Sequence, residues 1–304
     1  MSFLIRVPAT TANLGPGFDC LGLALDLWNE VEVSSAGEGL SISIQGEGQD
    51  ELPTDETNLT YCSMKEYALR HQKSLPEGIQ MVCRNQIPLT SGLGSSSAAI
   101  VSGILAAAAI LEIPLERKDQ LECAARIEGH PDNVAPCILG GLVASSVTSE
   151  QAIAINLPIA SLPILIIVPE FKFPTPLARA VLPKSVPFED AIFNLGRMVF
   201  LSEALKNADL ELLSSALQDK LHQPYRIPMI PGAESAISAA QRAGAAGVVL
   251  SGAGPSLLVF LRSKEDQEKI SSKMVAAFSQ AGLRARVFSP KISSRGASIE
   301  PLDP

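Results

Sequence analysis

The sequence has no Cys-x-x-Cys pair, and its five cysteines (Cys20, Cys62, Cys83, Cys123, Cys137) are odd in number and scattered. Neither a zinc site nor a disulfide framework is suggested. The thiols read as reduced core residues of a cytoplasmic protein. Histidine is as scarce: His71, His130 and His222 stand at no metal-binding spacing. Positive charge is in deficit, with 24 Lys and Arg against 32 Asp and Glu and a net charge of −8. That argues against nucleic acid and against an anionic membrane surface as partners. The start, Met1-Ser-Phe-Leu-Ile-Arg-Val-Pro8, lacks a basic region followed by an apolar core and does not read as a signal peptide. One uncharged run, Thr90 to Leu111, approaches membrane-spanning length. Its first third is Gly and Ser, and its apolar part from Ala98 is alanine-dominated and too short. It reads as a buried helix.

What is present is core-forming material. Of 304 residues, 46% are hydrophobic and 18% charged, a globular composition sufficient for one large or two medium domains. Periodicity predicts strands at Phe3–Val7, Leu23–Leu27, Glu30–Ser34, Leu40–Gln45 and Ile79–Cys83. A loop over Ala9–Asp19 separates the first two. Helices are expected over Asn58–Gln72, with Thr57 as N-cap, over Ser96–Leu111, and over Leu115–Glu128 closed by Gly129. A polar loop, His130–Pro136, leads to strands at Gly140–Ser146 and Ala152–Leu157. Strands first and helices after suggest an α+β block. Pro158 to Pro163 reads as a boundary, giving units 1–158 and 159–304. The second unit alternates strand Leu162–Val168, three helices, strands Gly247–Leu250 and Ser256–Phe260, a charged helix and strand Arg284–Phe288, a split-βαβ, ferredoxin-like order.

The stretch Pro88-Leu-Thr-Ser-Gly-Leu-Gly-Ser-Ser-Ser-Ala98 carries the most chemistry. It lies between a strand and a helix N-terminus, where free backbone N–H groups and the helix dipole favour phosphate. Gly92 and Gly94 permit close approach of the backbone, and Ser95, Ser96 and Ser97 supply hydroxyls. No Lys follows the second glycine, so this is not a Walker A loop, and the third glycine of a dinucleotide fingerprint is missing. Two further segments are rich in residues that regular structure avoids: Pro8 to Asp19 and Ser251-Gly-Ala-Gly-Pro255.

In order and spacing the three segments resemble the signature motifs of the GHMP kinases, across nearly the whole chain. The finer pattern resembles the homoserine-phosphorylating branch. It rests on Thr10-Thr-Ala-Asn-Leu-Gly-Pro-Gly-Phe-Asp19, Glu128-Gly-His-Pro-Asp-Asn-Val-Ala-Pro136, Thr175-Pro-Leu-Ala-Arg179 and Leu221-His-Gln-Pro-Tyr-Arg226. The resemblance implies a two-domain α+β fold, ribosomal-S5-like in its N-terminal domain and ferredoxin-like in its C-terminal domain, with the site between them. It implies ATP as phosphoryl donor, Mg²⁺ as cofactor and L-homoserine as acceptor, a step toward threonine, in a cytoplasmic enzyme that forms a homodimer in many relatives.

By position, the resemblance gives Pro88, Leu89, Thr90, Ser91, Gly92, Leu93, Gly94, Ser95, Ser96, Ser97 and Ala98 to the phosphates. It gives Ser96 and Glu128 to the metal, with Glu122 as the other candidate carboxylate. A Glu in the last turn of a helix is poorly placed against the dipole, which mildly favours function for Glu128. A zwitterionic acceptor needs cations for its carboxylate and anions for its ammonium. Arg179 and Arg226 match the first need, while Asn13, Asp19 and Asp132 match polar ligands of the acceptor. His130, Thr175 and Gly252 line the same pocket. Asp132 and Asn133 occupy the catalytic region. Thr10 replaces the lysine found in mevalonate kinases, and Asn133 aligns with their aspartate, so the reaction is expected to proceed without a strong base. Two other readings stay open at this point: another GHMP kinase acting on mevalonate or a diphosphocytidyl-methylerythritol, and a non-catalytic ATP-binding sensor.

Overall fold

The computed structural model describes residues 1–148 and 151–302. The chain runs β1 (Ser2–Ala12), β2 (Leu21–Ser34), β3 (Gly39–Gly46), α1 (Leu59–Arg70), β4 (Gly78–Asn85), α2 (Ser95–Ile110), α3 (Arg117–Glu128), α4 (Val134–Leu139), β5 (Leu142–Val147) and β6 (Ala152–Leu157). It continues through β7 (Ile164–Pro169), α5 (Thr175–Ala180), α6 (Phe188–Asn207), α7 (Leu210–Ala216), α8 (Gln223–Arg226), α9 (Ala233–Ala243), β8 (Gly247–Leu250), β9 (Leu257–Phe260), α10 (Gln267–Gln280), β10 (Ala285–Phe288) and β11 (Ser298–Leu302).

Two sheets organise the molecule. The first has the order β11-β1-β2-β4-β3, and β2 also pairs with β5, which pairs with β6. The second has the order β10-β7-β9-β8, all antiparallel. β2 pairs with β1 along its length and, because it is long, serves two more neighbours besides. Glu30–Ser34 pair with β4, and Leu21–Leu23 pair with β5. The register slip between Pro8 and Ala9 lets β1 follow the same bend.

The helix α2 sits under the first sheet, and 11 of its 16 residues are buried. Its alanines let α1, α3, α4 and β1 approach closely, while Ile100, Val101, Ile104 and Leu105 fill the remaining space. Truncating one such Ile to Ala costs about 2–5 kcal/mol in comparable cores. On the second sheet, α9 and α10 cover one face with Ala233, Ala236, Ala240, Ile270, Met274 and Phe278. No helix among the described residues is long and apolar enough to cross a membrane.

Several expectations shift. Ala9–Ala12 are strand, not loop, because their amides complete the ladder to Leu25–Gly22. Asn58, not Thr57, caps α1, its Oδ1 accepting from Thr60 N and Tyr61 N. The loop expected over His130–Pro136 turns helical from Val134. The short helices α5 and α8, of 6 and 4 residues, carry too little periodicity to be read from sequence. The expected second unit, 159–304, does not hold together at its end. β11 returns to the first sheet, Ser2–Arg6 pairing with Leu302–Ser298, and Arg6 grips Glu300 with Nη1 at 2.9 Å. Residues 303 and 304 lie outside the described part. Cys83, Cys123 and Cys137 are core residues, but Cys20 and Cys62 are only half-buried.

Candidate active site

The three glycine-containing segments meet, and they meet backbone to backbone. Gly94 begins α2 with φ 69°, and a Cβ there would stand 2.0 Å from Thr10 Oγ1. A Cβ on Gly92, at φ 81°, would stand 2.2 Å from the Ser251 carbonyl. Any side chain at either position would push the loops apart. Hydrogen bonds then lock them. Thr10 N donates to Leu93 O at 3.1 Å, Ser256 N to Ser91 O at 3.2 Å, and Gly252 N to Ala12 O at 3.0 Å. The fully buried Ser251 hydroxyl contacts Gly92 O and Thr11 Oγ1, both at 2.8 Å.

The joined loops floor a cleft of about 650 Å³. At one end Leu89, Thr90, Ser91, Gly92, Gly94, Ser95 and Ser96 line it; Pro88, Leu93, Ser97 and Ala98 do not. Leu93 and Ala98 are core residues, and the Pro88 carbonyl accepts the Ser91 hydroxyl at 2.7 Å. Ser97 is buried but points at the same carboxylate as Ser96. The two hydroxyls donate to Glu128 Oε1 at 2.8 and 2.7 Å. Glu128 therefore belongs to this end, while Glu122 is tied to Arg70 at 2.8 Å and does not line the cleft. No group of three or more His, Cys, Asp or Glu among the described residues could enclose a metal. The Glu128 carboxylate and the Ser96 hydroxyl fit a hard cation that keeps waters and shares phosphate oxygens, as Mg²⁺ does. Beyond the loop the cleft is lined by Val31, Ile44, Leu52, Leu59 and Cys83, an apolar slot with the unpartnered Ser102 hydroxyl at its wall. Asn58 lines it too, but its side chain is occupied by the α1 cap and by Pro53 O.

The other end is charged. Arg179, in the last turn of α5, forms a two-toothed pair with Asp19, Nη1 to Oδ2 and Nη2 to Oδ1, each at 2.9 Å. Arg226 is only 2% exposed and makes no ion pair among the described residues. Its Nε donates to Ala178 O at 3.0 Å, and Nη1 reaches Gly252 O at 3.5 Å. Burial, and then the charge of Arg179, push its pKa down to about 10. His222, one turn earlier, is fully buried. Burial pushes its pKa down, with Nε2 donating to Gly15 O at 2.8 Å and Nδ1 facing Arg226. Phe18 stacks on His222 and lies under both guanidinium groups. Asp219 anchors this corner by accepting from Leu221, His222 and Gln223 N and from Asn194 Nδ2.

Between the two ends lie Asp132 and Asn133. Asp132, 2% exposed, accepts from His130 Nδ1 at 2.6 Å. Burial disfavours charge on His130, but the hydrogen bond and charge of Asp132 outweigh it, and the pKa rises above its ordinary value. Asn133 Oδ1 accepts from the fully buried Thr10 Oγ1 at 2.9 Å, directly under Gly94. Asn13 spans two loops, donating to Gly252 O at 2.8 Å and accepting from Asp19 N at 2.9 Å.

The chain matches the family model described as "GHMP kinases N terminal domain" over residues 58–141 and "GHMP kinases C terminal" over 201–280. It is 42% identical to the homoserine kinase of Moorella thermoacetica, over 97% of this chain and 99% of that one. The homoserine kinase of Carboxydothermus hydrogenoformans is 37% identical over 96% and 95% of the two chains. The chain belongs to the homoserine kinases, a branch of the GHMP kinases. The crystal structure of a homoserine kinase from Cytophaga hutchinsonii superposes with TM-score 0.87 at 32% identity, over 98% and 97% of the chains. The L. major mevalonate kinase, at 14% identity and TM-score 0.73 over 94% of each chain, shows the shared fold alone.

Within that family frame the structure brings nearly every expected residue to one cleft. Thr175 is at its rim, exposed, and Gly252 contributes its carbonyl rather than a bare turn. Sequence reading missed Phe18, His222, Asp219 and Asn194. A signal existed for one of them: His222 stands one helical turn before Arg226.

Proposed function

We infer that the protein transfers the γ-phosphoryl group of ATP to the side-chain hydroxyl of L-homoserine, giving O-phospho-L-homoserine on the way to threonine. The observation that carries the reading is the buried Arg226 cation, without a carboxylate partner among the described residues, beside Arg179 and in the same cleft as the glycine–serine loop that opens α2. Such a charge awaits an anion from the ligand. The acceptor carboxylate meets Arg226 and Arg179, and its ammonium meets Asp19. The hydroxyl is thereby held toward Asp132 and the glycine loop. Backbone N–H groups at the start of α2 receive the phosphates. Ser96 and Glu128 would hold Mg²⁺, with Ser97 fixing the Glu128 carboxylate. When bound, that ion neutralises phosphate charge. The apolar slot at Leu52, Leu59 and Val31 suits the base of the nucleotide.

The transfer needs positioning more than a base. Asp132 is already engaged by His130 Nδ1 at 2.6 Å, and an asparagine side chain such as that of Asn133 cannot act as a general base. The hydroxyl oxygen bonds to the γ-phosphorus as the bond to ADP breaks, and its proton leaves late, onto a phosphate oxygen. The kcat–pH profile should lack a steep acidic limb. A steep limb that Asp132→Asn abolishes, with homoserine still bound, would overturn the base-free route.

The decisive assay is ADP release with L-homoserine, D-homoserine, L-serine and mevalonate at matched concentration. Only L-homoserine should give efficient turnover; turnover on mevalonate alone, or on none, refutes the reading. The residue roles above, the division near 158 with β11 rejoined to the first unit, and a cytoplasmic location belong to the same proposal. So does a homodimer. On α6, Phe188, Ile192, Leu195 and Val199 are exposed at 82%, 54%, 70% and 64%, in a four-three-four spacing along one face. Acidic Glu189 and Asp190 open the helix and Lys206 closes it. An antiparallel pair of α6 copies would cover the stripe and set acid against base. Leu195→Glu with Val199→Glu should halve the mass seen by sedimentation; an unchanged mass removes this seam.

A further inference from the structure

The Arg179–Asp19 pair joins two groups that the reading above assigns to opposite ends of one ligand. Both teeth of the guanidinium and both carboxylate oxygens are used, at 2.9 Å each. The pair is open to the cleft, with 37% and 35% of the side chains exposed. Behind it lies Arg226, buried and without an anion. Phe18 touches both cations, so two guanidinium groups flank one ring, and of the two only Arg179 is paired with Asp19. Asp19 cannot retreat with its backbone. It is held at φ 55°, and its N–H is fixed to Asn13, itself anchored on Gly252 O.

A ligand carboxylate that reaches Arg226 takes the Arg179 fork as well, since the fork faces the same space. Asp19 then loses its one ion-pair partner among the described residues. A zwitterion supplies a replacement, its own ammonium, on the neighbouring carbon. A simple hydroxy-carboxylate supplies none and leaves an uncompensated charge in a half-buried site. Resting on the functional reading above, we propose that the acceptor binds by exchanging this internal ion pair, and that Asp19 thereby rejects acceptors that carry a carboxylate but no ammonium. Asp19 is a specificity residue through the charge it would strand, in addition to any attraction for the ammonium.

The two contributions differ in sign for the wrong substrate. L-Homoserine and 4-hydroxybutyrate share the hydroxyl, the chain length and the carboxylate; only the first has the ammonium. With saturating ATP, kcat/KM is measured for both in the wild type and in Asp19→Asn, a near-isosteric change. Exchange predicts that homoserine falls about 100-fold while 4-hydroxybutyrate rises about tenfold. A rise for one substrate in the same preparation also shows that the variant is folded, and Asp19→Ser should repeat the pattern. If 4-hydroxybutyrate is unchanged, falls, or is turned over by neither form, Asp19 does not act by exchange, and the proposal fails. An undiminished homoserine rate in the variant overturns it too. A wild type inactive on homoserine would instead bring down the functional reading, and this proposal with it.

Discussion

At the phosphate end of the cleft the polar groups come from one stretch of eleven residues, Pro88–Ala98, and from Glu128. At the acceptor end they come from five segments: Asn13–Asp19, His130–Asn133, Thr175–Arg179, His222–Arg226 and Gly252. The first end is made of backbone amides and hydroxyls from one loop at the start of α2, joined by a single carboxylate from the end of α3. The second is made of full charges whose compensation depends on long-range contacts. Phosphate is recognised by a device that a short sequence can build alone. A zwitterion requires charges of both signs a few ångströms apart, and no single element can present them so.

The comparison can be broken most forcefully at Glu128. Glu128→Gln should lower kcat about a thousandfold and raise the Mg²⁺ concentration needed for activity, with the homoserine KM little changed. A rise in KM with kcat intact would show that the two ends are not separate. Arg226→Met tests the opposite end. The homoserine kcat/KM should fall about 100-fold, while the urea midpoint does not fall, because the variant removes a buried cation that lacks a carboxylate partner. A midpoint drop equivalent to about 2 kcal/mol or more would mean that the bonds to Ala178 and Gly252 outweigh the charge penalty.

The smallest effect sits between the ends, at His130. Its folded pKa is raised because the Asp132 interaction outweighs burial. The stabilisation is therefore complete below the unfolded value and disappears as pH rises through the folded one. The melting-temperature advantage of wild type over His130→Asn should be greatest near pH 6 and shrink by pH 8. An advantage that grows with pH would contradict the assigned pairing.

The sequence disclosed the glycine loop, the helix it opens and the charged residues that the fold gathers in the same cleft. Its motifs lay in order along the chain, and strand and helix periods were strong in the first unit. It did not disclose β11, whose five residues pair with β1 nearly three hundred positions away. Nor did it separate Glu128 from Glu122. Both are glutamates of α3, one in its middle and one at its end, and only the turn of the helix decides which meets Ser96 and which meets Arg70. Phe18, Asp219 and Asn194 were silent because their roles are contacts with distant segments, which leave no local pattern.

By itself the sequence determined the chemistry on offer: a loop of small residues at a helix start, two arginines and several carboxylates. The tertiary structure decided how the charges are spent. It placed one arginine against Asp19 and buried the other without an anion, since pairing depends on distance and desolvation, neither of which a linear order of residues contains.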